Sequence, residues 1–153
     1  MTTSIDVADE FLRLASAEGR RLNAISLIKL CVIPNGWSLA RTGEPLFGEP
    51  IEAWAYGPNV PQLYHALAHW GTRPIERGAS GPSRIDRSRA ELVKAVHASY
   101  GNLPQSALQG LTNRAGTPWA ITREDADGPR EIPSALTRAH YLALAAERSK
   151  KAA

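Results

Sequence analysis

Hydrophobic positions recur at helical spacing over most of this chain. Val7, Phe11 and Leu14, flanked by Ala8, Leu12 and Ala15, share one face of a predicted helix that Gly19 ends. Asn23 is placed as the N-cap of a second helix, with Leu22 before it and Leu27 four residues after it as a hydrophobic staple. Residues 25–33 are apolar on nearly every side except Ser26 and Lys29, and a helix without a polar face belongs at the centre of a core. Pro34 removes a backbone donor and crowds the preceding turn, so a kink or break is expected there, with a short continuation through Trp37 and Leu39 to Gly43. A third helix is predicted over 59–70, with Pro61 in its first turn, Leu63, Leu67 and Trp70 facing inward, and Gly71 at its end. Ser88 and Glu91 form a capping box ahead of Leu92, Val96 and Tyr100, and Gly101 and Asn102 close that helix. Residues 103–112 make a short helix, and a last one starts at Pro133 or Ser134 and runs to about 149. Exposed connections are expected over 71–84 and over 122–130, the latter with an Asp-Gly-Pro turn. The resulting fold class is mainly α: a compact single-domain bundle of about six helices with a small extended insert. Its core spans about 5–145, ahead of a charged tail over 146–153.

That insert lies in the least helical part of the chain. Residues 45–67 hold four prolines and four aromatics, with glycines between them, and an extended piece is expected over 51–56. Proline locks φ and glycine supplies φ > 0, so the segment describes one specific turn that presents large rings. Trp54, Tyr56 and Tyr64 are presented this way, with Pro58 and His65 beside them. Tyrosine and tryptophan more often build cores, yet they are also enriched at interface hot spots because they bury large area at low entropy cost. These five residues are the candidates for a partner-facing patch.

Composition adds bounds. The length of 153 residues fits one domain with a single core, and 43% hydrophobic with 22% charged residues is ordinary for a globular protein. The net charge of +3 brings nucleic acid into consideration. The basic clusters, Arg84, Arg87 and Arg89 and then Arg148, Lys150 and Lys151, have acids nearby and form no stripe with a recognisable reading element. A single cysteine, Cys31, excludes an internal disulfide and a cysteine-based zinc site within one chain, and its apolar surroundings predict a buried thiol. With no signal peptide and no run of 18 apolar residues, the expectation is a cytoplasmic protein without a membrane partner.

Catalytic signatures are missing. No P-loop, dinucleotide-binding glycine motif, H-E-x-x-H or G-x-S-x-G occurs. His65 and His69 stand four apart, a spacing that can hold a metal if Asp86, His97 or His140 adds a third ligand, and this would make a small metal-dependent hydrolase. Packing or solvation beside the aromatic face accounts for both without a metal. Glu49 and Glu52 read as solvated surface, and Glu124, Asp125 and Asp127 lack the further ligands of an EF-hand loop. No catalytic residues, metal or cofactor are expected, and the protein is not read as an enzyme.

The order of motifs resembles the Panacea domain, the family of SocA-like bacterial antitoxins. The resemblance rests on Val7 to Leu12, on Leu27-Ile28-Lys29-Leu30 through Gly36-Trp37-Ser38-Leu39-Ala40, and on Thr42-Gly43-Glu44-Pro45-Leu46-Phe47. The block Ile51-Glu52-Ala53-Trp54-Ala55-Tyr56-Gly57-Pro58-Asn59-Val60-Pro61-Gln62-Leu63-Tyr64 is its longest part. Tyr100-Gly101, Leu108, Leu111-Thr112, Pro118-Trp119, Ile132-Pro133 and Tyr141 extend it, so that it covers about 5–145. Two departures stand out: Val32-Ile33-Pro34-Asn35 replaces Tyr-Phe-x-Gln, and Asn113 replaces a histidine. The resemblance implies an antitoxin that binds and neutralises a toxin encoded beside it, in a family where related domains are paired with unrelated toxins. It also implies an alternative, an adaptor that delivers the toxin to an ATP-dependent protease. A DNA-binding autoregulator is the remaining alternative, suggested by the basic charge.

Overall fold

The apolar run around Leu27 becomes the axis of the molecule. In a computed structural model, which describes residues 1–76, 82–125, 127 and 130–152, helix α2 spans Ala24–Thr42. Asn23 caps it, its side chain accepting from the Ser26 amide at 2.8 Å. Leu27, Leu30 and Cys31 are fully buried, because α1 (Ser4–Ala17), α4 (Arg87–Tyr100), α5 (Gln105–Asn113) and α7 (Ser134–Ala152) pack around α2. Burial pushes the Cys31 thiol pKa far up, so it is an inert packing group.

Pro34 does not break this helix. The helix runs through it without interruption, and the missing amide leaves the Leu30 carbonyl without its usual donor. Tertiary contacts hold the second half in place. The Asn35 side chain accepts from the Leu46 amide at 2.9 Å, Ser38 donates to the Glu44 carbonyl, and Arg138 on α7 donates to the Leu39 carbonyl. Gly36 lets the Tyr141 ring of α7 lie directly on the α2 backbone, where a Cβ would collide with it.

Other elements refine the sequence reading. Glu49 is no solvated acid: its carboxylate accepts from the amide and hydroxyl of the buried Ser4, at the N-terminus of α1 where negative charge meets the helix dipole. Asp86, two residues before the expected Ser88, caps α4 by accepting from the Arg89 amide at 2.8 Å. The predicted third helix divides into α3 (Pro61–Leu67) and a 3₁₀ turn over Ala68–Trp70. A short α6 (Pro118–Glu124), capped by Thr117, was not expected, and α7 continues as helix to Ala152 where a charged tail was predicted. In the 71–84 connection, Ile75 is buried and its amide donates to the Leu22 carbonyl at 2.8 Å. The middle of that connection and most of the Asp-Gly-Pro turn lie outside the described residues. No helix among the described residues is long and apolar enough to cross a membrane.

The extended insert is a hairpin rather than a single strand. Strand β1 (Glu52–Trp54) pairs antiparallel with β2 (Gly57–Asn59), in the register Glu52↔Asn59, Ala53↔Pro58 and Trp54↔Gly57. It packs against α2, α5 and α6.

Candidate functional site

The hairpin closes one side of a groove, and its backbone is tied down from the opposite side. The Ala53 amide donates to the Arg130 carbonyl at 2.7 Å and the Ile132 amide to the Ile51 carbonyl at 2.8 Å, so residues 130–132 form an edge beyond β1. Because the Ala53 amide points away from β2, the Ala53↔Pro58 pair is of the non-hydrogen-bonded kind, and the missing amide of Pro58 costs the ladder nothing. Trp119 at the start of α6 donates its indole N–H to the Trp54 carbonyl at 2.6 Å. Asn113 at the end of α5 donates its amide to the Tyr56 carbonyl at 2.9 Å. Gly57 makes the return from the turn at φ +130°, a backbone region L side chains rarely adopt.

The groove itself has a volume of ≈ 420 Å³. Trp54, Tyr56, Gly57, Pro58 and Asn59 of the hairpin line it, together with Tyr64 of α3. Ile25, Ile28 and Lys29 supply its floor from α2, and Gln105 and Gln109 its far wall from α5. The rings of Trp54 and Tyr64 meet edge to face at a centroid distance of 5.2 Å, and the Trp54 indole N–H donates to Glu52 at 2.8 Å. Tyr56 projects from the turn at 85% exposure, with Tyr64 at 41% and Ile25 at 42%.

Four of the five residues proposed from sequence therefore converge: Trp54, Tyr56, Pro58 and Tyr64 all line the groove. Pro58 is buried and also lines a second, smaller cavity of ≈ 30 Å³ together with Val32, Trp119 and Tyr141. His65 stands outside the groove, exposed, with its ring edge-on to Tyr64 at 5.5 Å. His69 lies on the 3₁₀ turn, His97 bonds Glu18, and Asp86 caps α4. Among the described residues no three histidine, cysteine or acidic side chains gather where they could hold a metal.

Sequence reasoning passed over Lys29, whose only signal was a charge in an otherwise apolar run. Its residue is 4% exposed, and desolvation lowers its pKa below the ordinary lysine value. A Cβ added to Gly57 would sit 2.9 Å from the Lys29 Nζ and 2.5 Å from the Asn113 Oδ1, so both side chains converge under the hairpin return. The Asn113 Oδ1 accepts from the Thr112 hydroxyl at 2.8 Å, which orients its amide toward the Tyr56 carbonyl. The buried Asn59 Oδ1 has no partner among the described residues.

Three residues of the basic clusters are engaged within the fold. Arg87 bonds Glu91, Arg89 bonds Asp86 and the Leu46 carbonyl, and Arg148 lies over the Trp37 ring at 4.7 Å.

Residues 27–120 match the family model described as Antitoxin SocA-like, Panacea domain. This stretch holds the hairpin, Lys29, Tyr64, Gln105, Gln109 and Asn113. The chain is also similar to Antitoxin SocA of Caulobacter vibrioides (strain NA1000 / CB15N), at 29% identity over 135 residues, covering 80% of this chain and 70% of that protein. No solved structure matches it. On the extent of the family match, the chain belongs to the SocA-like, Panacea-domain antitoxins.

Proposed function

We propose that this protein is the antitoxin of a toxin–antitoxin pair and neutralises its toxin by direct binding, with the hairpin groove at the centre of the contact. The observation that carries the reading is the placement of three large apolar side chains, Ile25, Tyr56 and Tyr64, exposed around one groove whose backbone is hydrogen-bonded from behind. Pre-organised rings lose little entropy on binding, so they are suited to anchor a partner. A stable interface buries ~1,200–2,000 Å² in total, so the groove is the hot spot and the flanking surfaces of α3 and α5 complete the contact. The relative named Antitoxin SocA is consistent with this role.

The test is co-expression with the adjacent gene product, once that product is shown to arrest growth, followed by purification of the tagged protein. Rescue with co-elution in fixed ratio is expected, and Tyr56→Ala is expected to weaken the complex by about 30-fold, the loss of ~2 kcal/mol typical of a hot-spot ring. Tyr56 is exposed, so this variant folds. An unchanged complex in Tyr56→Ala and Tyr64→Ala would place the interface elsewhere. Rescue that depends on a host ATP-dependent protease, with no stable complex, would replace neutralisation by delivery of the toxin for degradation.

A further inference from the structure

Lys29 is a cation held in the floor of the groove without a counter-charge. Among the described residues its ammonium makes no hydrogen bond or ion pair, and no acidic side chain lines the groove. Glu52, the acid of the hairpin, accepts from the Trp54 indole instead. The amides around the groove, Asn59, Gln105 and Gln109, are neutral. An amide oxygen can accept a hydrogen bond from an ammonium but cannot offset its charge. Taking an ammonium out of water without an opposite charge is costly, and the usual compensation is a paired anion. Lys29 is nine-tenths buried yet lines an open groove, so that compensation can arrive from outside.

Resting on the antitoxin reading above, we propose that the toxin segment entering this groove is acidic: an Asp or Glu side chain pairs with Lys29 while a neighbouring apolar side chain packs between Tyr56, Trp54 and Tyr64. The charge complementarity is local to the floor, and the walls are aromatic, so the fitting sequence is a carboxylate beside a bulky apolar residue. A volume of ≈ 420 Å³ lies within the range of about 300–1,000 Å³ in which proteins enclose ligand-sized groups. Pairing inside the groove removes the carboxylate from water as well, so the interaction depends on fit as much as on charge.

The experiment compares wild type, Lys29→Met and Tyr56→Ala in complex formation with the purified toxin, and it monitors the thermal midpoint of each free protein. Methionine keeps the length and packing of the lysine stem and removes the charge. The expected result is a weakening of the complex by at least about 30-fold in Lys29→Met, the size of loss seen when one partner of a buried charge pair is removed. The midpoint of the free variant is expected to stay at or above that of wild type. An Asp→Asn and Glu→Gln scan of the toxin is expected to find one position whose loss matches that of Lys29→Met and does not add to it. Wild-type affinity in Lys29→Met, with binding lost in Tyr56→Ala, overturns the acidic segment and leaves the groove as the interface. A lowered midpoint that accounts for the lost binding overturns it too, since Lys29 would then serve the fold. Absence of any complex with wild type overturns both readings.

Discussion

Substituting Gly57 by alanine tests the packing beneath the hairpin. The residue has φ +130°, where an L side chain costs of order 1–3 kcal/mol. The new Cβ would lie 2.5 Å from the Asn113 Oδ1 and 2.9 Å from its Nδ2, so the Asn113 amide must move. Its bond to the Tyr56 carbonyl then weakens, at a further cost of about 0.5–1.5 kcal/mol. Against this, alanine lowers the entropy of the unfolded chain, which stabilises by about 0.4–1 kcal/mol. The sum is a net destabilisation of about 0.5–4 kcal/mol. For a domain of this size that is a fall of roughly 1–16 °C in Tm. The control is Gly110→Ala in α5, where a Cβ meets nothing within 4 Å and no positive φ is required. There the same substitution is expected to stabilise by about 0.5–1 kcal/mol, because glycine inside a helix is the poorer residue. Urea denaturation of both variants beside wild type gives the two signs directly. Gly57→Ala as stable as wild type would refute the account of the hairpin return, and destabilisation of both variants would refute its attribution to local geometry.

The same packing sets three further expected outcomes. Gly36→Ala places a Cβ within the Tyr141 ring, and overpacking of this kind costs about 1–3 kcal/mol; a Tm equal to wild type in a thermal melt would show that α7 shifts freely. Glu18 has its pKa lowered by hydrogen bonds from His97 and Arg20. Its contribution to stability is thus present above the unfolded carboxylate pKa and is lost as pH falls through the lower folded value. Glu18→Gln should flatten that acid limb in melts across pH, and an unchanged limb would assign it to other groups. Lys29 gives the same sign in a different window: with its pKa lowered by desolvation, the unfolded chain binds the extra proton between the folded value and about 10.4. Stability therefore rises with pH across that alkaline window, and the rise should vanish in Lys29→Met; an equal slope in both proteins would mean Lys29 is not desolvated.

The legible parts of the fold are those written in local chemistry. Asn23 as a cap, Gly19, Gly43 and Gly71 at helix ends, and the apolar faces of α1 and α2 are readable because each depends on neighbours within one or two turns. What sequence could not show depends on distant partners. Gly57-Pro58-Asn59 has no strand propensity, and becomes β2 only because β1, Asn113 and α2 supply the surface on which it lies. Pro34 reads as a break, yet Asn35, Ser38 and Arg138 hold the turn beyond it in register. Helix α6, at seven residues, is too short to show a period, although Thr117-Pro118 is a cap followed by a proline at the first helical position, and that was its available signal. At the site, the rings of Trp54, Tyr56 and Tyr64 were legible because proline and glycine set them apart. Ile25, Ile28 and Lys29 were not, because the same helical spacing that puts them on the groove floor is also the spacing of a core face.

The division of labour at the hairpin bears on how such a domain can serve different partners. The groups that hold its backbone are the Asn113 amide, the Trp119 indole, the Arg130 carbonyl and the Ile132 amide, and none of these residues lines the groove. The most exposed side chains of the groove, those of Tyr56, Ile25 and Gln109, make none of the hairpin's anchoring bonds, since Tyr56 is anchored through its backbone carbonyl alone. Exposed side chains away from such bonds change stability by only about ±0.5 kcal/mol when substituted, whereas loss of a hot-spot ring changes binding by ~2 kcal/mol or more. Recognition can therefore vary at these positions while the scaffold persists. Lys29 is the exception, because it belongs to the helix at the centre of the core and also to the floor of the groove. A charge at that position is carried at a cost to the free protein, and an anion in the groove would offset that cost at neutral pH. Binding of the partner and relief of the buried charge are then one event, which couples the stability of the antitoxin to occupancy of its groove.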